Sequence, residues 1–474
     1  MSAFTRDELR VVLGTSAVYA LRMVGLYMAL PLMATWASDL PGATPFLVGI
    51  SLGAYGLTQA IFQVPFGILG DLRGRRIVVI LSLLIFALGS AIVAAAGTIL
   101  AVVAGRLVQG VGAMASTLIA LIGDGTRDQV RTRGMALMGL VLGVSFALGF
   151  LLGPFVSARF GVPAVFGASA VLSVAGILLF EFLVPARLVP HFVRGRRPRP
   201  GAPGSWSWPE ARSLLHDRSL LVLDAGIFTL HAAVTGLFVV VPFLLRDRGV
   251  PDLGLWRVYA PVLAAGLVAM ILASRVADRP ARARGVVLAG VASIVAGLAG
   301  LAAFHREVWT ITIFLGLFIV GFGAIEPLLA ALLTRYTGRG ARGTAAGLFN
   351  MIQFTGAFLG GSLSGLFLPL GRGAPLLALA AMIAAWGLSL RLLRNPEDLV
   401  DSAFAVDGLT EEEWAAVHRC LVAHGAVLEA DWNAGAPVRV RHWPDRVTRA
   451  DLEALVAATV RDWRDNGARV SSGA

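Results

Sequence analysis

Twelve apolar runs, each about twenty residues or longer, succeed one another between residues 10 and 394. A run of that length crosses the roughly 30 Å hydrocarbon core of a bilayer as a helix, so the chain is predicted to span a membrane twelve times. The approximate spans are 10–36, 46–70, 76–96, 99–122, 133–158, 163–185, 219–246, 254–277, 283–304, 308–335, 343–368 and 373–394. None alternates polar and apolar residues as a barrel wall does, and a lipid-exposed backbone must satisfy its own hydrogen bonds, which leaves helices. With 57% hydrophobic and only 15% charged residues, the composition lies far from a soluble average. Ahead of the first run, Arg6, Asp7, Glu8 and Arg10 nearly cancel. The run itself is too long for a cleavable leader, so it is expected to stay as helix 1.

A formal net charge of +11 could point to nucleic acid, and all 40 basic residues are arginine. Their placement argues against that partner. Arg73, Arg75 and Arg76, then Arg127, Arg131 and Arg133, then Arg275, Arg279, Arg282 and Arg284, then Arg335, Arg339 and Arg342 fall in every second connection. Arg159, Arg246, Arg248, Arg257, Arg306 and Arg372 are the main exceptions in the others. By the positive-inside rule the Arg-rich loops are cytoplasmic, and both termini are expected inside a bacterial inner membrane. Cys420, the single cysteine, excludes an internal disulfide and a cysteine metal cluster, so no metal site and no cofactor are expected.

About thirty residues rich in Arg, Pro and Gly, 186–218, separate helix 6 from helix 7 and read as a linker beside lipid headgroups or water. The linker divides the bundle into halves 1–185 and 219–396. Shifting "GILGDLRGRR" (67–76) onto "SRVADRPARA" (274–283) lays Asp71 on Asp278 and Arg75 on Arg282, each between the second and third helices of its half. Two repeated six-helix halves are the arrangement of secondary transporters, whose substrate lies between the halves. Past Pro396 the character changes. Residues 400–474 are expected to form a small soluble α+β domain of ferredoxin-like type, with helices at 410–424 and 448–463 and strands near 426–432 and 437–443. Trp414, Trp432, Trp443 and Trp463 are expected in its core.

Gly67, Leu69, Asp71, Gly74, Arg75 and Arg76 match the pattern G-x-L-a-D-r-x-G-r-k. The stretch resembles motif A of the major facilitator superfamily, in its drug:proton antiporter branch, with Leu72 where an arginine is usual. The resemblance implies that Asp71 caps the N-terminus of helix 11 near Arg342–Ala346 in the outward-facing state, and that Arg75 pairs with Asp124. "RLVQGVGA" is similar to motif B through Arg106, Gln109, Gly110 and Gly112. A guanidinium inside a membrane helix must find protein or water. For Arg106 the resemblance implies proton transfer, and structural pinning of helices 1 and 4 is an equally open reading. "GFLLGPFVSA" resembles the antiporter motif C through Gly149, Gly153 and Pro154, with Ser157 and Ala158 in place of its final glycine pair. Small residues at that spacing permit close helix contact. With its extra C-terminal domain the chain resembles the YajR-type group of that branch. The tail domain of that group is similar to heavy-metal-associated domains, but the Cys-x-x-Cys that would hold a metal is missing here.

In this family helices 1, 4, 7 and 10 line the cavity, and Arg22, His231 and Glu326 are ionisable residues deep within three of them. Intramembrane charges are functional by default. Glu326 is predicted about nine residues, roughly 14 Å, from the end of helix 10. Alternation between an apolar setting and the field of Arg22 would let its carboxylate take up and release a proton, although a permanent ion pair is the competing reading. His231 is the second candidate carrier. Tyr27, Met28, Met114, Asn350 and Gln353 are expected around them, an apolar lining with few polar points that suits lipophilic or amphipathic molecules. The chain is therefore expected to be a monomeric secondary transporter that exports small lipophilic or amphipathic compounds by alternating access, driven by the proton-motive force, with a small-molecule substrate, protons and lipids as its partners. A facilitator or symporter for a metabolite or lipid is the nearest alternative, and a receptor signalling through residues 400–474 is one of another class. No catalytic constellation is present, so an enzyme is not expected.

Overall fold

The computed structural model describes residues 4–184, 206, 208–277, 280–337, 341–393, 399–406, 408–423, 426–432, 436–442, 444 and 446–471. Asp278 and Trp443 lie outside them. Among the described residues twelve helices are long and apolar enough to cross a membrane: Arg6–Ala29, Pro45–Arg73, Arg75–Ala94, Ile99–Asp124, Gln129–Phe160, Val162–Leu183, Arg218–Asp247, Asp252–Ala277, Arg282–Ala303, Val308–Tyr336, Gly343–Leu370 and Gly373–Leu392. They are helices 1 to 12 below. Their outer faces carry exposed apolar side chains such as Leu178, Phe182, Trp309 and Leu388, while Phe86, Phe150, Phe238 and Phe318 fill the interior. A chain that is apolar on both faces of its helices belongs in lipid. The end of the bundle where helix 1 begins and helix 12 finishes is called the near end, and the opposite one the far end.

Helix 1 does not run on to residue 36 as expected. Thr5 and Glu8 form a reciprocal capping box at its start, and after Ala29 it gives way to turns before a separate short helix, Met33–Ser38. Pro31 has no N–H to continue the ladder. Helix 4 departs further: it is two pieces, Ile99–Val111 and Ala115–Asp124, with a break at Gly112–Met114. The carbonyl released there is taken by Arg22 Nη2 at 2.8 Å, so a side chain from helix 1 satisfies the backbone that the break exposes. Between helices 2 and 3 the chain turns within one residue. Gly74 has φ +96°, which only glycine adopts without strain.

The expected linker is not wholly without structure: Trp208–Leu214 is a short helix, and Trp206 and Glu210 rest against helix 11. Residues 185–205 and 207 lie outside those described.

The tail is a three-stranded antiparallel sheet of order β1-β3-β2, with β1 Val400–Phe404, β2 Val427–Asp431 and β3 Val438–His442. Helices Glu411–Ala423 and Arg449–Ser471 complete it. The β1-helix-β2 crossover with β3 inserted between is the split βαβ of ferredoxin-like units; a fourth strand is not among the described residues. Strand β1 was not expected, because "VDSAF" is short and half polar and holds only by its pairing with β3. Trp414 and Trp432 flank the core at a centroid distance of 6.0 Å. Trp463 instead is exposed. Phe404, Val417, Leu421, Val438, Val440, Leu452 and Val456 form a core that shares no residue with the bundle. Removal of residues 399–474 is therefore expected to leave a monodisperse, membrane-inserted bundle whose melting temperature in detergent moves by only a few degrees. A truncated chain that aggregates would contradict this.

Within the tail, Glu413 is buried, accepts from Arg464 Nε at 2.6 Å and closes a capping box with Thr410. The Arg464 hydrogen bond, aided by the cap, holds its carboxyl at about 2, below the ordinary 4.5. A lowered folded-state value gives stability that is complete above pH 4.5 and lost as pH falls toward 2. Glu413→Gln should remove that acid-side loss in a pH series of melts while lowering stability near neutrality.

Candidate functional site

The motif A residues sit where helices 2, 3, 4 and 6 meet at the near end. Arg75 Nη1 lies 2.8 Å from Asp124 Oδ2 and its Nη2 3.8 Å from Asp71 Oδ1. Arg76 pairs with Glu181 and donates to the Val184 carbonyl at 2.7 Å, tying helix 3 to the end of helix 6. Gly67 and Asp71 line a cleft that has Gly343 and Gly347 of helix 11 on its other side. The expected cap of helix 11 by Asp71 is thus not formed in this conformation. Helix 11 begins after Ala341 without a side-chain cap, and the cleft separates the two elements.

In the N-terminal half, two guanidiniums are buried around Tyr55. Arg106 donates to the carbonyls of Ser51 and Leu52 and, at 2.7 Å, to Gln109 Oε1; Gln109 in turn donates to Ser90 Oγ. Arg106 therefore pins helix 4 to helices 2 and 3, and not to helix 1 as one of its two open readings had it. Gly110 lies under the Tyr55 carbonyl, where no Cβ fits. Arg22, fully buried, donates through Nη2 to Tyr55 Oη, Gln59 Oε1 and Gly112 O, and lies 5.0 Å from the Phe86 ring centroid. The expected Arg22–Glu326 pairing is not made. Arg22 faces inward, into its own half, because the broken helix 4 offers it a carbonyl.

Glu326 instead lies beside His231, Oε1 3.7 Å from Nε2, a separation that becomes an ion pair only when the imidazole is protonated. Pro327 follows it in helix 10 and deprives Gly323 of its helical donor. His231 Nδ1 lies 3.2 Å from the Ile227 carbonyl, which leaves Nε2 to accept from Gln353 Nε2 at 2.7 Å. Helices 7, 10 and 11 so bring one carboxylate, one imidazole and one amide together. Glu326 stands mid-helix, yet its side chain is 41% exposed against 13% for His231. A side chain so deep and so accessible borders a hollow inside the bundle. Of the other expected lining residues, Tyr27 packs edge-on to Phe146 at 4.7 Å, and Asn350 is partly exposed. Met28 and Met114 are 3% and 0% exposed. They pack within the protein and do not line the hollow, Met28 lying under Gly153 and Met114 at the helix 4 break.

Asp224 was missed by sequence reasoning, although an acid six residues into a predicted span is its signal. It is 6% exposed and, among the described residues, makes no hydrogen bond or ion pair. It stands two helical turns from His231 on the same face of helix 7.

At the far end the halves meet. Gly361 approaches Gly49 so closely that a Cβ there would stand 2.7 Å from the Gly49 carbonyl, and Gly53 and Gly56 make similar approaches to Phe358 and Phe354. Gly149 and Gly153 bring helix 5 onto helix 1 in the same way, against Tyr27 and Met28, with Pro154 inside the helix. Ser157, where the motif C pattern has glycine, donates to Asp252 Oδ2 of the other half at 2.8 Å. Arg246 pairs with Asp39 at 3.1 Å.

Helices 2 and 11 thus join two six-helix halves at the far end and part around a cleft at the near end, and ionisable side chains stand deep within the helices of each half. An architecture of that kind is a polytopic membrane transporter. The Major Facilitator Superfamily profile matches residues 15–361, and the chain belongs to that superfamily. It is 35% identical to the inner membrane transport protein YajR of Escherichia coli K12 over 81% of this chain and 83% of that one. The multidrug resistance protein MdtH of Aeromonas salmonicida is 24% identical over 72% of this chain and 82% of its own. Among solved structures, the human organic anion transporter MFSD10 superposes with TM-score 0.57 at 19% identity, covering 81% of this chain and 99% of that one.

Proposed function

We propose that the protein exports small lipophilic or amphipathic compounds by proton-coupled antiport across a bacterial inner membrane, both termini being cytoplasmic. The observation that carries the reading is the Glu326–His231–Gln353 cluster: a titratable pair bordering a hollow between helices 7, 10 and 11. A carboxylate placed there can bind a proton when the hollow is apolar and lose it when water or a counter-charge arrives. Motif C and the name of MdtH support export, the name of YajR supports transport in an inner membrane, and the Arg-rich near-end loops support the orientation. In this reading Gly67, Asp71, Gly74, Arg75, Arg76 and Asp124 form the conformational switch, and Arg106, Gln109 and Gly110 brace the half that carries it. The monomer uses the proton-motive force and no cofactor. Full-length protein reconstituted in liposomes with a pH-sensitive dye inside tests the reading. A lipophilic cation added to one side should drive proton movement in the opposite sense, and compound uptake without any proton flux would refute it.

A further inference from the structure

Helix 11 starts with Ala341 at its N-cap, a residue that offers no side-chain oxygen to the free N–H groups of the first turn. A carboxylate is nonetheless present there. It belongs to the segment that joins the halves: Glu210 Oε2 accepts from Thr344 Oγ1, in the first turn of helix 11, at 3.0 Å, and Thr344 is fully buried. Four residues earlier, the Trp206 ring lies against Gly347 one turn further along. A Cβ on Gly347 would stand 3.2 Å from its Cζ3. Trp206 also helps line the near-end cleft, with Asp71, Ser116 and Thr117 across from Gly343. Its Nε1 is buried without an acceptor among the described residues, and its ring packs edge-on to Trp208 at 5.2 Å. Among the described residues, Asp71 meanwhile pairs with Arg75 alone, at 3.8 Å.

We propose that Trp206 and the helix Trp208–Leu214 act as a wedge that holds the near end open by occupying the helix 11 N-terminus in competition with Asp71. The proposal rests on the alternating-access reading above but not on protons or on a substrate. Two carboxylates from different elements have one partly positive helix end to bind. The indole fills the space that helices 2 and 11 must lose if the near end is to close as the far end has. Closure therefore requires the wedge to leave, and whatever favours its departure favours the other conformation.

The test is a pair of spin-label distances measured in full-length Cys420→Ser protein in nanodiscs. Gln129→Cys with Arg284→Cys reports the near end, and Leu100→Cys with Leu370→Cys the far end; all four positions are exposed. Glu210→Gln removes only the charge, so misfolding does not confound it, and Trp206→Ala removes the indole. Each is expected to shift the population roughly five-fold or more toward a shorter near-end and a longer far-end distance, and Asp71→Asn added to either should reverse the shift. If Asp71→Asn moves the distances while both wedge variants leave them unchanged, the wedge is refuted and alternating access stands. If no variant, Asp71→Asn included, moves either distance, both readings fall together.

Discussion

Glu326→Gln is expected to lower gradient-driven export by roughly 100-fold or more, the scale lost when a positioned proton-transfer group is removed. The substitution keeps the volume and hydrogen-bonding ability of the side chain but fixes it neutral. Ligand binding should therefore persist and lose its dependence on pH, while the protein elutes and melts as the wild type does. His231→Gln makes a useful companion, because His231 is the group 3.7 Å from the carboxylate and its Nε2 is shared with Gln353. Arg22→Ala should behave differently from both. Arg22 donates to Tyr55, Gln59 and the Gly112 carbonyl, none of them in the C-terminal half, so its loss should lower the melting temperature without moving the pH profile. Uphill export by Glu326→Gln with an unchanged pH profile would exclude Glu326 as the carrier and direct attention to Asp224, the buried acid two turns from His231.

What hydropathy can register was legible in the chain, and what depends on side-chain direction was not. The twelve spans follow from long apolar runs, and Gly74 follows from a turn with no residue to spare. The break in helix 4 left no trace, because Gly112, Ala113 and Met114 are as apolar as their neighbours and the Arg22 that satisfies the freed carbonyl lies on another helix. For the same reason Arg22, His231 and Glu326 could be picked out as intramembrane ionisable residues, but not who pairs with whom. Depth along a helix is a property of sequence, whereas the face a residue presents to a partner is set by packing. Composition also misled at the linker. Its Pro- and Gly-rich stretch reads as solvated, while Trp206 and Glu210 find partners on helix 11 that no local pattern announces. The tail shows the converse case: β1 has too weak a pattern to stand alone and is held through its register with β3, Phe404 opposite Val438.

Gly361→Leu should stop transport by a different route, by denying the far end its closed form. A Cβ at Gly361 would meet the Gly49 carbonyl at 2.7 Å, the Gly53 nitrogen at 3.2 Å and Thr235 Cγ2 at 3.3 Å. Two of these are backbone atoms of helix 2 in the opposite half, so neither can rotate away as a side chain would. Overpacking of this kind costs about 1–3 kcal/mol where the structure can relax. Here the halves can relax by separating at the far end, so the strain is converted into a population shift of roughly 5- to 150-fold toward the far-open conformation. A cysteine placed at Val48, which is 1% exposed, should then react with a membrane-impermeant maleimide in the Cys420→Ser protein, while the parent stays protected. Gly49→Leu should give the same result from the other half, since its Cβ would press on Gly365 at 2.8 Å. Gly143→Leu is the contrasting case. A Cβ there has only Leu267 and Met270 within reach, at 3.8 and 4.0 Å, so transport should survive. Normal transport and an unreactive Val48→Cys in the Gly361→Leu protein would mean that the glycine contact between helices 2 and 11 is not what closes the far end.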